Sequence, residues 1–244
     1  MKNNETGHAK NVANLGLLIQ YCQTLGAAYN PSKENIKLTP LHNLKAQADA
    51  DLLALSAETA AFNNAINERI LIFSTLRSLS TRILSAFQAT DASKEAIQNV
   101  KSIHRKIQGQ RAIPISSPSP ETQETESPKN ISAAQLSFDQ QLQHLINLLE
   151  LLKAENSYAP NEGDLQVENL ESLKQMMTTA NNNAQTAYAV LSSKRIARNK
   201  TLYDPETGIV ALSLDVKKYV RSVFGHTSAE FKQISGITFT KNKE

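Results

Sequence analysis

Apolar residues recur at helical intervals along most of the chain. Leu15, Leu18, Cys22 and Leu25 stand 3, 4 and 3 residues apart, which places them on one face of a helix predicted over residues 11–28. A longer stripe follows at Leu41, Leu44, Ala48, Leu52, Leu55, Thr59, Phe62, Ile66, Ile70 and Phe73. Its nine steps cover 32 residues, or 3.56 per step, a helical period close to that of a bundle seam. Thr39 is placed to cap this helix and Pro40 to take its first position. No Gly or Pro lies between Leu41 and Gln108. A break near Phe73–Thr75 is expected only because the later run Tyr203-Asp-Pro-Glu-Thr-Gly208 carries turn chemistry at the matching place.

That matching comes from an internal repeat, the most informative feature of the chain. Residues 29–45, from Tyr29-Asn-Pro31 to Leu41, Leu44 and Lys45, align with residues 158–174, from Tyr158-Ala-Pro160 to Leu170, Leu173 and Lys174. The offset is 129, with five identities in 17 positions. A second block, residues 83–90 around Phe87, aligns with 220–227 around Phe224 at an offset of 137. Helices in the second copy are predicted over 133–155, 169–202 and 209–224, the last with Ile209, Leu212, Val216, Val220 and Val223 on one face. Short helices are expected over 92–107 and 228–235, and Thr227 with Glu230 fits a capping box for the latter.

Between the copies, residues 112–130 hold four of the eight prolines amid Ser, Thr and Glu. That composition predicts an extended or disordered tether, with a docking or modification segment as the other reading. The chain therefore divides into a flexible start (1–10), a first repeat (11–111), the linker, a second repeat (131–237) and a tail (238–244). The predicted class is all-α: an elongated helical bundle from two tandem copies, with long antiparallel helices. Composition agrees, since eight Gly and eight Pro in 244 residues fall below the roughly 17 and 12 of average usage. One cysteine, Cys22, excludes an internal disulfide or a thiolate zinc cluster, and its apolar face predicts a buried, inert thiol. No apolar run is expected to approach the ~18 residues of a membrane span, and Gln20 and Gln23 interrupt the only signal-like stretch, so a cytoplasmic location is expected.

Several segments carry a resemblance. Tyr158-x-Pro160-Asn161-Glu162, the run from Arg195 through Arg198 and Asn199 to Tyr203, and residues 215–225 resemble a family of uncharacterised, duplicated all-helical proteins from Bacteroidota bacteria. Residues 81–87, 103–112 and 232–237 do so as well. The similarity covers nearly the whole chain after its first ten residues. It implies a lineage and a duplicated helical layout, and supplies no catalytic residue.

The search for catalytic chemistry is nearly empty. No phosphate-binding glycine loop, dinucleotide fingerprint, zinc-protease helix or nucleophile elbow occurs. The five histidines, at 8, 42, 104, 144 and 226, never pair at helical spacing. His42 and His144 read as surface or interface residues. No cofactor, metal or small-molecule substrate is expected, and the chain reads as a non-enzyme.

Charge gives the one functional hint. Residues 1–68, 69–111, 112–180 and 181–244 carry net charges of −1, +6, −7 and +5, so the total of +3 conceals strong segregation. Lys101, Arg105, Lys106 and Arg111 form one basic cluster, Lys194, Arg195, Arg198 and Lys200 a second, and Lys217, Lys218 and Arg221 a third. Such clusters can neutralise phosphates, pair with acidic helices of the other copy, or solvate the bundle. The expected function is a non-enzymatic scaffold, structural subunit or adaptor working through a protein partner or self-association. The alternatives are a nucleic-acid-binding protein using the basic later helices and, more weakly, a membrane-active amphipathic bundle.

Overall fold

The computed structural model describes residues 7–110 and 136–241. Among them the fold is all-α, with eight helices and no strand: α1 (His8–Thr24), α2 (Leu38–Ser74), α3 (Leu76–Gln88), α4 (Lys94–Gln108), α5 (Phe138–Ala154), α6 (Val167–Tyr203), α7 (Ile209–Phe224) and α8 (Ala229–Ser235). Arg111 and the linker over 112–130 lie outside the described residues.

Most helix limits follow local chemistry, and several differ from expectation. His8 to Lys10 already belong to α1, so the flexible start is shorter than predicted. The helix α2 begins at Leu38, which leaves Pro40 in its first turn, where a missing N–H has no partner to lose. Its end at Ser74 coincides with the expected break. There the Ser74 and Thr75 hydroxyls donate to the Leu71 and Ile72 carbonyls, at 2.7 and 3.3 Å, competing with the helical ladder. Ser228, not Thr227, caps α8, its Oγ accepting from the Phe231 N–H at 3.1 Å.

The segment Leu38–Gln88 contains an 18-residue window of mean hydropathy 1.2, long and apolar enough by length and composition to cross a membrane, with 28% of that window buried. A count of unbroken apolar residues overlooked it because isolated polar residues interrupt the run.

The described residues fall into two compact units, and these do not coincide with residues 11–111 and 131–237. Unit 1 takes residues 7–62 and 187–241, and unit 2 takes 63–110 and 136–186. Each therefore combines the start of one sequence repeat with the end of the other.

In unit 1, Leu15, Leu18, Ile19 and Cys22 of α1 pack with Ile209, Leu212, Val216 and Val220 of α7. Tyr29, Ile36, Leu41 and Ala48 close one side of this core, and Leu202, Ile234 and Ile237 another. Val223, expected on the same face of α7, is 45% exposed. Burial pushes the Cys22 thiol up to about 11, so it stays protonated and inert at neutral pH. The polypeptide passes from α6 to α7 through a turn built on Asp204. Its Oδ1 accepts from the N–H groups of Glu206 and Thr207, at 2.9 and 2.8 Å, and from the Thr207 hydroxyl. These bonds hold its carboxyl below the usual range.

A Cβ on Gly208 would come within 2.5 and 2.6 Å of the Asp204 backbone N and O. Gly208→Ala is accordingly expected to cost about 1–3 kcal/mol, read as a lower urea midpoint at unchanged slope. An unaltered midpoint would show that the turn yields freely.

Unit 2 has the same plan with other side chains. Leu145, Leu148, Leu149 and Leu152 of α5 pack with Phe73, Leu76, Ile83 and Phe87 and with Val100 and Ile107 of α4. Ser93 caps α4, accepting from the Ala96 N–H at 3.1 Å, and Gly109 ends it at a φ of 72°, a left-handed conformation that suits glycine. The Arg69 guanidinium lies 4.2 Å from the centre of the Phe138 ring.

The two Tyr-x-Pro segments adopt one local arrangement. The Tyr29 hydroxyl donates to the Ile36 carbonyl at 2.6 Å, and the Tyr158 hydroxyl to the Leu165 carbonyl at 2.9 Å. Each segment then docks on a helix from the other sequence repeat. In unit 1, Tyr29 meets Tyr219 edge-on at 5.3 Å and Lys33 pairs with Asp215 at 2.6 Å. In unit 2, Tyr158 meets Phe87 at 5.8 Å and Arg82 pairs with Asp164.

Candidate interaction surface

The basic residues singled out in the sequence divide between the units and differ in their partners. In unit 2, Lys101, Arg105 and Lys106 lie on α4, with Arg105 and Lys106 in its last turn, where positive charge complements the helix dipole. In unit 1, Lys217 does not serve an exposed anion-binding face. Its Nζ donates to the carbonyls of Ser235 (3.2 Å) and Ile237, satisfying the C-terminal end of α8. Burial pulls its ammonium below the usual lysine range. Lys218 bonds Asp215 at 3.0 Å, and Asp215 is held below the usual carboxylate range first by Lys33. Arg221 is exposed in the last turn of α7. The Arg198 guanidinium donates to the Asn199 side-chain oxygen, at 3.1 and 2.8 Å, and lines a 590 Å³ cleft with His8, Leu52 and Leu55. Lys194, Arg195 and Lys200 lie along α6, the last two exposed, and Lys200 helps to lower the Asp204 carboxyl.

Two features of the site were invisible in the charge pattern. The first is a clamp on the C-terminal segment, expected to be a tail. Asn11 of α1 donates to the Thr240 carbonyl and accepts from the Thr240 N–H, both at 2.9 Å, and Asn14 donates to the Thr238 carbonyl. Asn11 is 1% exposed, and its side chain also bonds Tyr203. The signal was present: two asparagines, three apart, on the same side of α1 as Leu15 and Leu18.

The second is an exposed apolar face on the two long helices in unit 1. Here α2 and α6 run antiparallel, since Thr201 bonds Asp51 at 2.5 Å while Tyr188 meets Phe62 at 5.8 Å. The inner sides of α2 and α6 carry Ala48 and Leu52, and Leu191 and Leu202. The outer side of α2 carries Ala46, Ala50, Leu53 and Ala57, all exposed, at steps of 4, 3 and 4. The outer side of α6 carries Ala189, Ser193 and Ile196 at the same steps, with Val190 beside them. Leu53 is 73% and Ile196 68% exposed. Taken whole, the two helix segments differ in charge, although Arg198 lines the inner cleft and Asp51 bonds Thr201. Residues 38–62 have one cation, Lys45, against Asp49, Asp51 and Glu58, while residues 187–203 have Lys194, Arg195, Arg198 and Lys200 and no acid.

In unit 2, His144 is buried and its Nε2 has no hydrogen-bond partner, so of the two readings, surface or interface, it is not a surface residue. Burial first, and Lys106 second, lower its pKa from the ordinary imidazole value of 6.5. The unfolded chain then holds the proton more tightly than the folded one. Stability is complete above 6.5 and falls as the pH drops toward the depressed value. Leu15 stands at the aligned position in α1. His144→Leu is expected to stabilise unit 2 by up to about 1 kcal/mol at neutral pH, and by more at acid pH. Urea titrations across the imidazole range would measure this; an unchanged acid-side slope would remove His144 from the account.

Further concave surfaces are a 670 Å³ cleft in unit 2, lined by Arg82, Thr90 and Tyr158 among others, and one of 640 Å³ in unit 1, with Lys200, Tyr203 and Lys241 on its walls. Among the described residues no group of three or more His, Cys, Asp or Glu could hold a metal ion. No protein-family model, curated protein or solved structure matches the chain.

Proposed function

We propose that the protein is a non-enzymatic helical scaffold or adaptor that acts through protein–protein contacts, built from a duplicated helical segment. The observation that carries this reading is the outer face of α2 and α6 in unit 1, where Leu53 and Ile196 keep 73% and 68% of their surface in water. Scattered apolar residues are ordinary on a protein surface, but aligned ones on neighbouring helices mark an interaction face. The fate of the basic residues supports the same reading. Lys217 and Lys218 are engaged within the unit, and α4 places Arg105 and Lys106 at its own dipole.

Hydrogen exchange on the protein, alone at rising concentration and with proteins that co-purify from its source cells, tests the proposal. Protection of the outer amides of α2 and α6 on association is the expected result. A monomer that retains no partner and gains no protection overturns it. Salt-sensitive binding of single- or double-stranded nucleic acid in an anisotropy titration, with protection at Lys194, Arg195 and Lys200, replaces it with the nucleic-acid reading.

A further inference from the structure

We infer that the groove between α1 and α7 is a site for an extended peptide. Residues 237–241 occupy it within one chain, and the same residues of a second copy can replace them, linking copies by exchange of this segment. The inference concerns a different surface from the outer face of α2 and α6 and goes beyond the scaffold reading.

The groove reads main chain. Asn11 donates to the Thr240 carbonyl and accepts from the Thr240 N–H, both at 2.9 Å, so one side-chain amide takes both backbone groups of one residue. Asn14 donates to the Thr238 carbonyl at 2.6 Å. From α7, the Lys217 ammonium donates to the Ile237 carbonyl and lies 5.7 Å from the centre of the Phe239 ring. Each hydrogen bond ends on a backbone atom of the segment. Asn11 and Asn14, one helical turn apart, meet residues 240 and 238, so the segment runs antiparallel to α1. Its side chains alternate in step, the period of an extended chain. Ile237 is buried and Phe239 half-buried against the unit 1 core, while Thr238 and Thr240 are exposed. Main-chain bonds for affinity, with alternate side chains seated for selectivity, are the elements of strand-type peptide recognition.

Burial of the two asparagines favours exchange over simple release. Asn11 and Asn14 are 1% and 9% exposed, and a buried amide stripped of its partner carries its full desolvation cost. The segment therefore leaves readily only when an equivalent one arrives. A second copy brings the identical residues, so each bond lost within one chain is regained between two. The connection leaves room for this. At Gly236, which joins the segment to α8, an added Cβ would meet nothing within 4 Å, so the chain can swing outward there. Each copy donates the segment it receives, and the exchange closes as a dimer.

The test uses full-length chains. One carries Ile237→Asp and Phe239→Asp, which removes the anchors of the segment and keeps the groove. The other carries Asn11→Ala and Asn14→Ala, which spoils the groove and keeps the segment. A fluorescent peptide of residues 235–241 is expected to bind the first chain and raise its melting temperature. Its apparent Kd for the native chain should be weaker by about tenfold or more, because the attached segment competes at a high effective concentration. The second chain should not bind it. In sedimentation velocity, the two variants mixed should form a one-to-one complex beyond any that either forms alone. Circular dichroism checks that both remain helical; should the first lose helix, Phe239→Asp alone, which spares the buried Ile237, takes its place. A helical first chain that binds no peptide overturns the inference. So does peptide binding that survives loss of both asparagines, or a mixture that forms no new complex. Each of these leaves the scaffold reading standing, since that reading is tested by protection on α2 and α6.

Discussion

Produced separately, residues 1–111 and 131–244 are expected not to fold, and produced together they are expected to assemble into native protein. This follows from how the cores are composed. The unit 1 core draws Leu15, Leu18, Ile19 and Leu41 from the first segment, and Leu202, Leu212, Val216 and Val220 from the second. The unit 2 core draws Phe73, Leu76, Ile83, Phe87 and Val100 from the first, and Leu145, Leu148, Leu149 and Leu170 from the second. Either segment alone would leave half of each core facing water. At about 25 cal/mol per Å² of apolar area, no isolated half could offset the entropy of ordering its helices. Circular dichroism of each fragment alone should show weak, non-cooperative helix, and the mixture should recover a cooperative transition. A cooperative transition in either fragment by itself would contradict the exchange of elements between repeats.

Phe87→Ala is expected to lower the unfolding free energy by about 3–5 kcal/mol, the range for truncating a buried aromatic residue. Phe87 is 1% exposed and packs 5.8 Å from the Tyr158 ring, which seats the Tyr-x-Pro segment of the second repeat on α3 of the first. Truncation therefore leaves a cavity and loosens a contact between residues far apart in the chain. Urea unfolding gives the total, and hydrogen exchange gives its location, with protection lost first among the amides of α3, α5 and the turn at Gly163–Leu165. The aligned Phe224 is only partly buried, so Phe224→Ala should cost clearly less. Equal losses at the two positions would contradict this asymmetry, and a loss under about 1 kcal/mol at Phe87 would show a core that collapses into the gap.

Much of the local structure was legible in the residues. The helical period marked α1, α7 and the long helices. Gly208 and the Asp-Pro pair marked the turn before α7, and Cys22 on an apolar face was rightly expected to be buried. Misreadings occurred where a residue's partner lay far along the chain. The stripe on α2 looked continuous, yet Ile70 is 50% exposed and only Leu41, Ala48 and Phe73 of its ten positions are buried, because little of the helix faces a core. Lys217 looked like part of a phosphate-binding cluster, since nothing in the sequence marks Ser235 and Ile237 as the carbonyls it would reach. His144 looked like either a surface or an interface residue, because a helix wheel cannot show which neighbours bury it.

By itself, then, the sequence determined the all-α class, the helix limits to within a few residues and the matching of two segments. Each depends on spacing, caps and breakers, which act over a turn or two of backbone. Which segment packs on which was decided only in three dimensions. Apolar faces of similar width and period can bury one another in more than one pairing. The choice fell to long-range contacts such as Tyr29 on Tyr219, Lys33 with Asp215 and Tyr158 on Phe87. The same pairing left the outer sides of α2 and α6 in water, and so defined the surface on which the proposed function rests.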